Sequence, residues 1–64
     1  MTAIKAYRIK KGISQEQLAK LMGTTQAAVA MWEIGARMPR AEKLPRLAEV
    51  LGCTVSDLFT KATE

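Results

Sequence analysis

Four glycines, Gly12, Gly23, Gly35 and Gly52, divide this chain into short segments, none of which leaves room for a helix of more than about four turns. Each glycine follows a run whose apolar residues recur at helical spacing, and glycine commonly closes a helix at its C-terminal end. No apolar–polar alternation long enough for a useful strand interrupts the pattern. The expected fold is therefore all-α, a compact bundle of five short helices. With 64 residues the chain makes one domain, expected over 1–64. A domain of this size buries only about 60% of the surface its unfolded chain exposes, so its core is marginal, worth ~3 to 5 kcal/mol net. Cys53 is the single cysteine and there is no histidine, so neither a disulfide nor a histidine-based metal staple can reinforce it. Side-chain packing must hold the fold.

Local signals place the helices. The first is expected over Ala3 to Lys11, after a Thr2 cap, with Ile4, Tyr7 and Arg8 on one side and most of the lysines on the other. Ser14-Gln15-Glu16-Gln17 has the form of a capping box and opens a helix from Gln15 to Met22, with Leu18, Ala19 and Met22 on one face. Thr25 is a good cap for a third helix from Gln26 to about Ile34, where Val29 and Trp32 make the inward stripe. Two short helices joined by a tight glycine turn, here spanning 14–33, follow the helix-turn-helix plan. The loop Gly35-Ala36-Arg37-Met38-Pro39-Arg40 carries two breakers and two cations and is expected to be exposed. Pro45 makes Ala41 to Lys43 a looser first turn, with regular helix from Leu44 and a core face of Leu44, Leu47, Ala48 and Leu51. Thr54 caps a last short helix that should dock Leu58 and Phe59, and 61–64 should fray.

Composition narrows the function. Ten Lys and Arg against six Asp and Glu give a net charge of +4, which favours a polyanion, either nucleic acid or an acidic membrane. No run of about 18 apolar residues is present and the amino terminus lacks a signal-peptide pattern, so a cytoplasmic location and no membrane partner are expected. Cys53 fits a reducing compartment and reads as a buried core residue. Without histidine, a glycine-rich phosphate loop or a paired acidic cluster, enzymatic activity is not expected, nor is a metal, a cofactor or a small-molecule ligand.

The third helix raises a sharper question. From Thr25 to Trp32 its residues are threonine, glutamine, alanine, valine, methionine and tryptophan, with no charge for a solvent face. The stretch "GISQEQLAKLMGTTQAAVAMWEIGARMP" resembles the helix-turn-helix of the Cro and cI repressor family, also called the xenobiotic-response-element type, of phage and bacterial regulators. Its carriers are Arg8, Gly12, Ser14-Gln15, Leu18-Ala19, Gly23, Thr25, Val29, Glu33, Gly35, Pro39, Leu47-Ala48, Leu51-Gly52 and Leu58, so the likeness covers nearly the whole chain. Singly, each is an ordinary residue; together they meet several steric demands at fixed spacing. Ala19 would allow close approach where the two helices cross, and Gly23 supplies the positive φ that so short a turn needs.

The resemblance implies a lambda-repressor-like DNA-binding domain whose helix 26–32 lies in the major groove. It makes Gln26 the principal base reader, braced by Gln15, with Ala27 and Met31 packing on thymine methyls and Ala30 permitting close approach. Gln15, Thr25, Arg37, Arg40 and Lys43 would contact phosphates, which position the helix without specifying sequence. Arg8 and Glu33 would form a partly buried salt bridge, a structural role shared with Ala19 and Gly23. This chain departs from the pattern at Ile34, Arg40 and Pro45, and it carries apolar Leu21, Ile34 and Met38 where polar residues are usual. Two functions follow. One is a sequence-specific regulator of double-stranded DNA, a Cro-like or cI-like repressor binding a pseudo-palindromic operator as a homodimer. The other is a protein-interaction or antitoxin-type module of the same fold, favoured by Leu21, Ile34 and Met38 and opposed by Gln15, Gln26 and the basic loop.

Overall fold

The computed structural model describes residues 3–59, and both the Thr2 cap and the fraying at 61–64 lie outside the described residues. Five helices follow in order: α1 (Ile4–Lys11), α2 (Gln15–Met22), α3 (Gln26–Ile34), α4 (Leu44–Leu51) and α5 (Val55–Leu58), with a 3-10 turn at Ala41–Lys43 leading into α4. No strand occurs among the described residues. α2 packs chiefly on α3, α1 lies against α3 and α4, and α4 carries α5.

The caps explain the boundaries. In the capping box of α2, Ser14 Oγ accepts from the Gln17 backbone N–H at 3.0 Å while the Ser14 N–H donates to Gln17 Oε1 at 2.8 Å. Thr25 Oγ1 accepts from the Ala28 N–H at 3.1 Å, and Thr54 and Asp57 form a second reciprocal box at 3.1 Å in both directions. Helices α1 to α4 each end on a glycine of positive φ. Pro45 stands in the first turn of α4, where its missing N–H would have no intrahelical partner, so the helix accommodates it. α1 is the exception: it starts from Ala3 without a side-chain cap, and the Ala3 N–H instead donates to the Leu58 carbonyl at 3.0 Å. That bond ties the first helix to the last.

Each helix contributes one fully buried aliphatic residue: Ile4, Leu18, Val29, Leu47 and Leu58 are all no more than 1% exposed. Burying each stabilises the fold by roughly 1.5–3 kcal/mol relative to leaving it in water. Ala19, Met22, Trp32, Ala48 and Leu51 complete the core. Three expectations are corrected. Phe59 does not dock and is 48% exposed, because α5 ends at Leu58 and that leucine alone fills the site. Pro39 is buried although its loop neighbours from Gly35 to Arg40 are exposed, since it folds back beside Trp32. Cys53 is only half-buried and packs on the edge of the core.

Candidate nucleic-acid interface

The turn between α2 and α3 decides where the outer face of α3 goes. Gly23 takes φ +67°, and a Cβ there would meet nothing within 4 Å, so backbone conformation rather than crowding requires the glycine. Ala19 is 4% exposed on the buried face of α2, the helix that packs chiefly on α3. With Leu18, Val29 and Trp32 turned inward, the first turn of α3 projects from the surface. Gln26, Ala27 and Met31 are exposed, and Ala30 is half-buried between them and the protein. Ile34, at 70% exposure, continues the same apolar stripe. Ala27, Ala30, Met31 and Ile34 line a shallow open hollow, with Lys5, Gln15 and Glu33 also on its wall.

A chain of polar contacts crosses this face. The Arg8 guanidinium grips Glu33 with two groups, Nε on Oε2 and Nη2 on Oε1, and its Nη1 donates to the Ile13 carbonyl at 2.8 Å. The two side chains are 12% and 2% exposed, so the expected partly buried bridge is present and ties α1 to the end of α3. Glu33 has a further partner: Gln15 Nε2 donates to its Oε1 at 2.9 Å. Gln15 Oε1 in turn accepts from Gln26 Nε2 at 3.5 Å, the outer limit of a hydrogen bond, which is the bracing expected of these glutamines. The negative charge of Glu33 is matched by Arg8, and α3 has no acidic residue in its first turn. The positive end of the α3 dipole thus stands uncompensated on the outer face, an environment suited to an anion.

Cations rim the other side. Arg37 and Arg40 are exposed and, with Thr24, Met38 and Lys43, border a second shallow hollow beside the start of α3. Lys43 is less free than expected: it is half-buried and its Nζ donates to the Met22 carbonyl at 3.4 Å, closing the C-terminal end of α2. Thr25 Oγ1 is engaged as a cap, accepting from the Ala28 N–H, and the exposed residue retains a hydroxyl hydrogen that can donate. Lys5 is exposed and stands on the wall of the first hollow, adding a cation that was not among the residues expected at this face. No group of three or more metal-ligating side chains is present, and no helix is long and apolar enough to cross a membrane, among the described residues.

The sequence profile of the helix-turn-helix family matches residues 4–58, nearly the whole described chain. The chain belongs to this family. It is a helix-turn-helix DNA-binding regulator of the Cro and cI type. Among family members, a helix-turn-helix transcriptional regulator of Archaeoglobus fulgidus is 33% identical over 58 residues, covering 91% of this chain and 83% of the relative. A prophage-derived regulator of Bacillus subtilis, YonR, is 33% identical over 60 residues, and the match spans 94% of this chain but 55% of the relative. The phage P22 c2 repressor, solved in complex with a synthetic operator, superposes with a TM-score of 0.83 at 33% identity, covering 89% of this chain and 86% of the repressor chain. A likeness at this level over most of both chains makes the fold that of a family member.

Proposed function

We propose that this chain is a transcriptional repressor that reads a pseudo-palindromic operator as a homodimer, with the first turn of α3 in the major groove. One observation carries the reading. Gln26, the first residue of α3, stands exposed and braced at the tip of an outer face that is uncharged along Ala27, Ala30 and Met31 and rimmed by Arg37 and Arg40. A glutamine amide matches the N6 and N7 groups of adenine, and small or apolar side chains meet thymine methyls. The flanking cations, the Thr25 hydroxyl and the Gln15 amide take the backbone phosphates and set the register. The complex of the similar c2 repressor with its operator supports the same use of the fold.

Size supports the homodimer. The domain is 28 Å along its longest axis, whereas half-sites one helical turn apart are separated by about 34 Å. A single copy therefore reaches one half-site, whose few base pairs give too little specificity alone. The function needs no catalysis and is exercised in the cytoplasm. Exposed Leu21, Ile34 and Met38, at 47%, 70% and 46%, favour a second reading in which the chain is a protein-binding module. Selection from a random pool of duplex DNA separates the two: recovery of a dyad-symmetric site is the expected result, and absence of any enrichment would overturn operator reading.

A further inference from the structure

The two ends of a glutamine amide are chemically opposite: Oε1 only accepts hydrogen bonds and Nε2 only donates them. Which end Gln26 leaves free therefore decides what a base edge meets. Adenine presents a donor at N6 and an acceptor at N7, and is met by one oxygen together with one N–H. Guanine presents two acceptors, N7 and O6, and requires two N–H groups.

Three residues that never touch a base settle this choice. Glu33 is paired with Arg8 and 2% exposed, and a carboxylate in an ion pair can only accept. Gln15 must therefore turn Nε2 to Glu33, as it does at 2.9 Å, which leaves Oε1 facing Gln26. That oxygen can be met only by an N–H, so Gln26 offers Nε2 at 3.5 Å and keeps Oε1 and a single N–H for anything outside. We propose that Glu33 is a specificity-determining positioning residue, which through Gln15 fixes the free groups of Gln26 as one acceptor and one donor and so selects adenine against guanine. The proposal rests on the base-reading role of Gln26 given above.

The experiment measures binding of the full chain to operators that differ in one base pair, A·T against G·C, at each position of the half-site in turn. Gln26→Ala first locates the base pair that Gln26 meets, as the position where discrimination is lost. Gln15→Met then breaks the relay while leaving the Arg8–Glu33 pair in place, so the fold is kept. Its expected effect is a fall in the adenine-over-guanine ratio at that base pair, from on the order of 10-fold to within about threefold, with the other positions unchanged. Glu33→Gln, whose amide can offer Gln15 either end, shifts the ratio the same way wherever circular dichroism shows it folded. A Gln15→Met protein that binds every operator more weakly but keeps the ratio would overturn the proposal, leaving Gln15 a phosphate contact and Glu33 a structural residue. Gln26→Ala without loss of discrimination at any position would instead overturn the base-reading role itself.

Discussion

Gln15 and Glu33, 18 residues apart, are joined by a 2.9 Å hydrogen bond that couples the inner scaffold of the domain to its outward face. On the inner side Glu33 closes the bridge from α1 to α3 through Arg8, and on the outer side Gln15 steadies Gln26. One buried carboxylate thereby serves both the stability of the fold and the placement of the residue proposed to read DNA.

Stability should depend heavily on that carboxylate. Glu33→Ala leaves the Arg8 charge buried without its partner and is expected to cost about 3–5 kcal/mol. Against a core worth ~3 to 5 kcal/mol net, the variant would be largely unfolded. Glu49→Ala is the control, because the Arg46–Glu49 pair is 58% and 74% exposed and such surface pairs contribute about 1 kcal/mol or less. Urea midpoints compare the two, and equal midpoints would remove Glu33 from the structural account.

The turn between α2 and α3 gives a smaller effect of separate origin. Gly23→Ala meets open space but must hold a left-handed backbone, at a cost of roughly 1–2 kcal/mol. In a domain of this size that lowers the melting temperature by about 4–8 °C per kcal/mol. Gly23→Asn should recover part of the loss, since asparagine tolerates this conformation better. An unchanged melting temperature for the alanine variant would contradict the assigned role.

Positioning and reading contacts separate by salt. Arg37→Ala and Arg40→Ala should weaken binding to all DNA alike, each lowering the slope of log K against log salt by about 0.9. Gln26→Ala should leave that slope and the affinity for mixed DNA nearly unchanged, while binding to the selected operator falls by about 1–3 kcal/mol. Lys43→Ala is expected to change the slope less than either arginine, because its Nζ is engaged with the Met22 carbonyl. The check is a fluorescence-anisotropy titration over a range of salt.

Alkaline pH should destabilise the domain. Burial, and to a lesser extent the Asp57 carboxylate, push the Cys53 thiol above its ordinary range. The half-buried Tyr7 phenol is raised in the same way, chiefly by desolvation, with smaller contributions from Asp57 and Cys53. A raised value in the folded state means that the folded chain holds its protons more tightly than the unfolded one. The resulting stability is fully present below the unfolded values, about 8.5 for cysteine and 10 for tyrosine, and is lost as pH rises through the folded ones. Thermal melts between pH 7 and 11 should show the decline begin near the thiol value and be reduced in Cys53→Ser. A melting temperature that rose over this range would refute the sign.

Much of the architecture was legible in the residues alone, and the reason is visible in the caps. Ser14 with Gln17, Thr25 with Ala28 and Thr54 with Asp57 each close within one turn, so sequence spacing contains the whole interaction. The 3-10 turn at Ala41–Lys43 was legible for the same reason, since Pro45 acts on its immediate neighbours. The Arg8–Glu33 bridge spans 25 residues and was anticipated only through family resemblance. The partnership of Glu33 with Gln15 had no sequence signal, because two polar residues 18 apart meet only if α2 and α3 cross at the right angle.

By itself, then, the sequence determined what local forces determine: which segments are helical, where they stop, which aliphatic residues are inward, and that the outward side of α3 carries no charge. The tertiary structure alone decided how those faces share space. It buried Pro39 beside Trp32, left Phe59 outside after Leu58 had filled the site under α5, and drew Lys43 to the end of α2. It also set Glu33, Gln15 and Gln26 in one hydrogen-bonded line. The physical reason is range: a cap or a turn is complete within a few residues, whereas burial and bonding across helices depend on the packing of the whole core.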